Sequence, residues 1–485
     1  MEKLDIRLQN LSKAFPDEFS QEQRAKAQTL FLKLLSEKAH RFYGGKMQTL
    51  PKAGIWGFNW FNVWYTPGVS RISTTIRDQH DASYDLTNRG NIVAVVSDST
   101  RVLGDGDCSP SGGLGVMEGK AFLMKYLGGV DAIALCIDSY NQDKVHEPQK
   151  IIDFVKMAQP SFGAVNLEDI SQPNCYKVLD TLREECDIPV WHDDAQGTAC
   201  VTLAGLINAL QLANKDIKNV KTVLYGAGAS NTTIASFLMQ AGMPGENIIM
   251  FDSRSGVHTK RNDLCNNPDK YRQWQLALKT NPTCIENIET ALTGADVLIA
   301  LSKPGPDTIQ QQWIKTMADK AIVFACANPV PEIYPYAAKD AGAFIVATGR
   351  GDFPNQVNNS LGFPGILKGA LMVRARKITD NMAIRAAYSL AEYARKRGIS
   401  QDNIIPNMEE VGVFPEESAT VAMQAIEDGV ARLEMTYEQA YETAKRDIEL
   451  SRKAIHTLMD TGCIADPPLE MLKETIEETI RIITE

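Results

Sequence analysis

TVLYGAGASN, residues Thr222–Asn231, is the stretch whose reading decides the fold. A β-rich run ends on Gly226-Ala227-Gly228 and passes into Thr232–Gln240, which can be helical. A glycine turn between strand and helix is where a dinucleotide pyrophosphate is held. Gly226 permits the tight turn, Gly228 lets the backbone approach phosphate, and the free amides of Ala229, Ser230 and Asn231 at the helix start receive negative charge. The next apolar run, Asn247–Asp252, closes on an acid suited to ribose hydroxyls. Taken alone, a G-x-G is often a plain strand-to-helix turn; the ordered series strand, turn, helix, strand and acid is what points to a dinucleotide. Asn231 stands where the fingerprint has its third glycine, so the helix is expected to pack farther out. Asp252 favours NAD by repelling a 2′-phosphate, whereas Ser253 and Arg254 could donate to one, and these residues leave the choice open.

Outward from this stretch, β-rich runs recur at Asn91–Asp98, Ala132–Asp138, Gly163–Asp169 and Ile188–Trp191, with helical spacing at Val116–Tyr126 and Cys175–Glu185 between them. An apolar helix, Thr198–Ala213, leads into a second series at Thr222–Tyr225, Asn247–Asp252, Asp296–Ser302, Ala321–Ala327 and Ala343–Thr348. Alternation of this kind predicts an α/β fold: a Rossmann-like doubly wound parallel sheet beside an α/β substrate and catalytic domain. Helical segments flank both, Gln21–His40 near the start and Asp380–Lys396, Pro415–Leu433 and Tyr437–Thr461 near the end. The expected domains are 1–197 for substrate and metal, 198–358 for the dinucleotide, and 359–485 as helices packing back on the catalytic part.

A chain of 485 residues is long enough for two or three domains, and its net charge of −10 repels phosphate backbones and anionic membranes at long range. Neither nucleic acid nor membrane is an expected partner. No apolar run approaches the ~18 residues that cross a bilayer, and MEKLDIRLQNLSKAF lacks a signal core. Nine cysteines without a C-x-x-C pair read as thiols, most of them buried, in a reducing compartment, so a cytoplasmic location is expected.

Two acidic pairs close apolar runs, Glu168-Asp169 after GAVNL and Asp193-Asp194 after IPVWH. Strand ends of open α/β sheets collect ligands, and carboxylate oxygens suit hard cations such as Mg²⁺ or Mn²⁺. Neighbours in an extended strand face opposite ways, so each pair needs a bend before both members can face one ion. Without one, either pair is a solvated loop or a helix cap.

Seven segments in order resemble malic enzymes of the compact microbial type: WYTPGVS (Trp64–Ser70), VMEGKA (Val116–Ala121), NLEDI (Asn166–Ile170), HDDAQGTA (His192–Ala199), YGAGAS (Tyr225–Ser230), ANPVPEI (Ala327–Ile333) and ATGRGDFPNQVNNSLGFPG (Ala347–Gly365). The resemblance implies oxidation of L-malate with NAD(P) and decarboxylation to pyruvate and CO₂, with Mg²⁺ or Mn²⁺. It implies Glu168, Asp169 and Asp194 as metal ligands, Asp193 assisting catalysis, Lys120 as general base and Tyr65 as general acid. Arg101 would hold a malate carboxylate, and Asn328 and Asn359 would complete the pocket, Asn328 also meeting the dinucleotide. It leans to NADP over NAD, implies a homodimer or homotetramer, and lacks the acyltransferase-like extension of some bacterial members. His192 is left to packing. The DGD of Asp105–Asp107 departs from the family by an acid where an apolar residue is usual, and Arg350-Gly351-Asp352 reads as a loop former.

The chemistry accounts for the residue types. A hydroxyl must lose a proton as hydride leaves the same carbon, and a lysine serves as base if burial and a cation depress its pKa. By position alone, Lys120 is an ordinary helix-surface lysine, Tyr65 a turn aromatic, Arg101 a surface charge and Asn328 a turn former. Two other readings compete: a 2-hydroxy-acid dehydrogenase that never decarboxylates, and a catalytically silent nucleotide-binding regulator.

Overall fold

A computed structural model describes residues 4–485, which cluster into two compact units: the stretch up to Lys52 together with Leu450–Glu485, and Ala53–Glu449. In the smaller unit the helix Gln21–Tyr43 starts on a capping box, Ser20 accepting from the Gln23 N–H while the Gln23 side chain accepts from the Ser20 N–H. Its buried Phe31 meets Phe15 edge-on at 6.4 Å, and Ile476, Ile480 and Ile483 of the helix Leu469–Thr484 close this small core.

The larger unit holds two parallel sheets. The first comprises β1 (Ile92–Ser97), β2 (Asp131–Cys136), β3 (Ala164–Leu167) and β4 (Val190–His192) in the order β2-β1-β3-β4. The second comprises β5 (Thr222–Tyr225), β6 (Ile248–Phe251), β7 (Val297–Ala300), β8 (Ile322–Ala325) and β9 (Ile345–Thr348) in the order β6-β5-β7-β8-β9. Each sheet grows outward in both directions from its first strand, which creates a switch point between β1 and β3 and another between β5 and β7, where ligands of such sheets bind. Register brings the strand ends level: Val96 lies beside Leu167, and Leu167 beside His192. The acids that follow β3 and β4 therefore emerge together.

Strands covered on both faces read as unbroken apolar runs, and β3, β6, β7, β8 and β9 are buried throughout. The first sheet packs Ala94, Val96, Val165 and Leu167 on Ile151, Ile152 and Val155 of the helix Pro148–Ala158 and on Val178 and Leu182 of the helix Asn174–Glu185. The helix Thr198–Ala213, apolar all round, is buried along nearly its whole length and stops on Asn214 in the left-handed conformation. Helices Phe363–Met372, Asp380–Arg397, Val413–Glu427 and Tyr437–Asp460 follow the second sheet.

All nine cysteines are free, but only Cys175, Cys186, Cys200 and Cys326 are buried, fewer than composition suggested. No helix among the described residues is long and apolar enough to cross a membrane. One segment stands apart in exposure: none of residues 53–71 is buried, although they include Trp56, Phe58, Trp60, Phe61, Trp64 and Tyr65.

Candidate active site

The switch-point ends of both sheets line one cleft of about 740 Å³, with Arg101, Lys120, Glu168, Asp169 and Asp194 on one side and Gly228, Ala229, Ser230, Asn231 and Asn328 on the other. Two different devices supply the bends that the acidic pairs require. Asp169 adopts a left-handed backbone, φ 51°, a conformation that aspartate tolerates better than most residues. After β4 the chain enters a π-helical turn, Asp193–Gly197, that runs directly into the helix Thr198–Ala213. Oxygens of Glu168, Asp169 and Asp194 consequently lie within 4.8 Å of one another.

Such a cluster is electrostatically uncomfortable as it stands. Burial first, and then Asp194, push the Asp169 carboxyl up to about 8, and burial likewise drives Glu168 well above the carboxylate range. Asn166 donates to Glu168 at 2.9 Å, while the Asp169 Oδ2 atom is buried without any partner. An orphaned oxygen among three converging carboxylates fits a hard divalent cation.

Lys120 projects from the helix Leu114–Gly128 into the same corner. Its Nζ lies 3.1 Å from Glu168 Oε1, donates to Asp193 and to Asn359 Oδ1 (3.2 Å), and rests 4.7 Å over the Phe363 ring. Burial lowers the Lys120 pKa, but Asp193, Glu168 and Asp194 outweigh it and hold the ammonium charged. Asp193 is fixed from behind by the Trp191 indole N–H at 3.1 Å. His192 is buried, and burial lowers its pKa, in keeping with a packing role.

On the other wall, Gly226 has φ +105° and a Cβ there would lie 2.3 Å from the Leu301 carbonyl oxygen, so the turn excludes every side chain. At Gly228 a Cβ would meet nothing within 4 Å, which leaves an open cradle in front of the uncapped start of the helix Ala229–Gln240. That space and those free amides fit a pyrophosphate. Asn231 turns out to be a tie: its amide donates to the carbonyls of Tyr225 (3.1 Å) and Gly226 (2.9 Å) and so anchors the helix to the strand end. Ser230 donates to the Asp194 carbonyl at 2.8 Å, joining the two walls.

Other expected residues lie farther off. Asp252 is committed to Arg261, which grips it through Nη2 at 2.7 Å and Nη1 at 3.2 Å, and its pKa falls because bonds from Arg261, Ser255 and Arg254 overcome burial. Arg254 pairs with Asp263 at 3.0 Å, and Asp252, Ser253 and Arg254 do not line the cleft. Tyr65, 74 % exposed, is likewise absent from the lining. Arg350 does shape a loop, bonding the Pro329 carbonyl at 2.9 Å beside Asn328. Residues that sequence reasoning passed over are Trp191, Phe363 and Arg261, whose partners are set by tertiary packing or by a return of the chain.

Comparison with known proteins agrees with this geometry. Residues 47–183 match the profile "Malic enzyme, N-terminal domain" and residues 195–430 the profile "Malic enzyme, NAD binding domain". An NAD-dependent malic enzyme of Geobacillus stearothermophilus is 42% identical over 391 residues, 80% of this chain and 78% of that one. An NADP-dependent malic enzyme of Halomonas elongata is 38% identical over 383 residues, 76% of this chain and 87% of that one. The crystal structure of Entamoeba histolytica malic enzyme superposes with a TM-score of 0.98 at 59% identity, covering 100% of both chains. With a glycine turn for a dinucleotide on one wall and acids with a lysine on the other, the chain belongs to the malic enzyme family, NAD(P)-dependent oxidoreductases that oxidise and decarboxylate malate.

Proposed function

We propose that this chain converts L-malate to pyruvate and CO₂ with Glu168, Asp169 and Asp194 holding Mg²⁺ or Mn²⁺, residues 1–197 serving malate and metal and residues 198–358 the dinucleotide. The observation that carries this reading is the convergence of those three carboxylates, within 4.8 Å, beside the Lys120 amine. When bound, the cation supplies Lewis-acid polarisation of the hydroxyl and carbonyl oxygens and offsets the carboxylate field around Lys120, while the dinucleotide supplies a hydride acceptor. Lys120 takes the hydroxyl proton as the hydride leaves the same carbon. Asp193, steadied by Trp191, keeps the Lys120 Nζ in place. Arg101 grips a malate carboxylate, and Asn328 and Asn359 border the substrate, Asn328 also meeting the dinucleotide. As CO₂ departs, its bonding electrons remain as an enolate, and the Tyr65 hydroxyl protonates the carbon.

Tyr65 reaches that carbon across an interface in this reading. It sits on an arm in which Trp56 and Trp60 (4.8 Å) and Trp60 and Trp64 (5.7 Å) contact one another in an exposed row, and apolar surface of this extent marks an interaction face. A homodimer, or a homotetramer built from it, places the arm on a second copy and Tyr65 in that copy's cleft.

NADP is the preferred dinucleotide in our reading. The argument against it, repulsion of a 2′-phosphate by Asp252, is weakened because Arg261 already pairs with that carboxylate, while Ser253 and Arg254 stand exposed beside it. The free thiols support a cytoplasmic setting. Steady-state turnover of L-malate with NAD or NADP, in Mn²⁺ or chelator, with CO₂ collected, tests the reading. Chelator-resistant turnover would remove the metal, and reduced dinucleotide without CO₂ would favour the non-decarboxylating dehydrogenase.

A further inference from the structure

Behind the cleft lies a chain of polar side chains that the mechanism above does not use. Asp98, directly after β1, is buried and accepts from Thr100 Oγ1 at 2.6 Å and from Ser139 Oγ at 3.0 Å. Ser139, also buried, lies 2.6 Å from His146 Nδ1, and His146 Nε2 lies 3.1 Å from Asp107 Oδ2. Asp107 further accepts from Tyr140 at 3.1 Å, whose ring packs 4.0 Å from the imidazole. His146 thus ties together the two ends of one loop, Asp98 through Ser139 at the start and Asp107 directly at the finish.

That loop carries Arg101. Its front is hooked to the strand tips: the Arg101 N–H donates to the Asp169 carbonyl at 3.0 Å, and Thr100 Oγ1 accepts from the Ser171 N–H at 2.8 Å. Its path is strained, with Ser99 (φ 61°), Leu103 (φ 45°) and Ser109 (φ 64°) all left-handed without being glycine. A strained segment keeps one shape only where its surroundings over-determine it. Its back is held by the His146 chain.

We propose that His146 is a positioning residue for substrate: by bridging Ser139 and Asp107 it fixes the loop that aims Arg101 into the cleft. The inference rests on the reading of Arg101 as the group that binds a malate carboxylate. It also gives Asp107, in the DGD stretch that stands out in the sequence, a task other than cation binding.

The test is steady-state kinetics and thermal unfolding of His146→Ala, His146→Gln, Arg101→Ala and the Ala/Ala double variant. His146→Ala is expected to raise KM for L-malate about tenfold, with kcat and the dinucleotide KM within about twofold. His146→Gln, which keeps one donor and one acceptor, should recover most of the loss. In the Arg101→Ala background, His146→Ala should add nothing further, a coupling that general loosening of the fold would not produce. Equal rises in both KM values, or additive effects in the double variant, would overturn the proposal. If Arg101→Ala alone leaves the malate KM unchanged, the Arg101 reading fails and takes this inference with it; if Arg101→Ala raises it and His146→Ala does not, this inference alone fails. Should His146→Ala not fold, Asp107→Asn, at the exposed end of the chain, carries the same comparison.

Discussion

The backbone N–H of Asp169 donates to Oδ2 of Asp194 at 2.8 Å, locking the tip of β3 to the turn after β4. Two candidate ligands are thus held together by main chain, and the remaining Asp169 oxygen is left buried without a partner. Asp169→Asn preserves the backbone bond but removes the charge. Mn²⁺ should raise the unfolding temperature of the parent and leave that of Asp169→Asn nearly unchanged, with Mn²⁺ affinity lower by about tenfold or more. Calorimetry across a Mn²⁺ series decides this, and equal stabilisation of both proteins would remove Asp169 from the ligand set.

The exposed arm leads to a different experiment. Lys120→Ala and Tyr65→Phe should each lower kcat by about 10²-fold or more, as expected for a proton-transfer group. If Tyr65 serves the partner's cleft, mixing the two variants under conditions that exchange subunits restores one intact site in each mixed dimer, about a quarter of parental activity after random assortment. If Tyr65 serves its own cleft, no mixed dimer regains a site. The recovered rate after mixing discriminates directly.

Which parts of this arrangement were legible in the sequence follows from what each part depends on. All nine strands appear as short apolar runs because parallel strands are covered on both faces, and the runs ended on acids where the sheets end. Glu168, Asp169, Asp194 and Lys120 could therefore be placed in one corner through motif resemblance. The bends could not: nothing in the words NLEDI or HDDAQG announces a left-handed Asp169 or a π-helical turn, since both are imposed by the helices and loops that pack around them. Phe363 under Lys120, and Arg261 on Asp252, were missed because each contact depends on where the chain returns. The helix Leu469–Thr484 went unread although its isoleucines recur at helical spacing. Tyr65 was given a role by its motif, but residue type carries no information about which subunit receives it.

The glycine turn offers a pair of variants with opposite signatures. Gly226→Ala forces a side chain onto the Leu301 carbonyl at positive φ and should lower the unfolding temperature by several degrees, roughly what 1–3 kcal/mol of backbone strain yields. Gly228→Ala meets only open space and should unfold like the parent. Its methyl group nevertheless occupies the cradle proposed for phosphate, so the dinucleotide KM should rise about tenfold with the malate KM little changed. A Gly228→Ala enzyme with parental dinucleotide KM would place the pyrophosphate elsewhere.

Glu417 gives a prediction about pH that is independent of the cleft. It is buried in the helix Val413–Glu427 against Gly365, and neither carboxyl oxygen has a hydrogen-bond partner. Burial alone drives its pKa well above the carboxylate range, so the folded state keeps it neutral while the unfolded chain ionises it above about pH 4.3. The folded state then binds the extra proton, and by linkage its stability falls as pH rises from the unfolded pKa toward the folded one. Glu417→Gln removes that loss while conserving shape. The unfolding temperature of Glu417→Gln minus that of the parent should therefore grow between about pH 5 and about pH 8, by on the order of 2 °C or more. A difference that stays flat across this range would mean that Glu417 is ionised in the folded protein, stabilised there by a charge that its apolar surroundings do not supply.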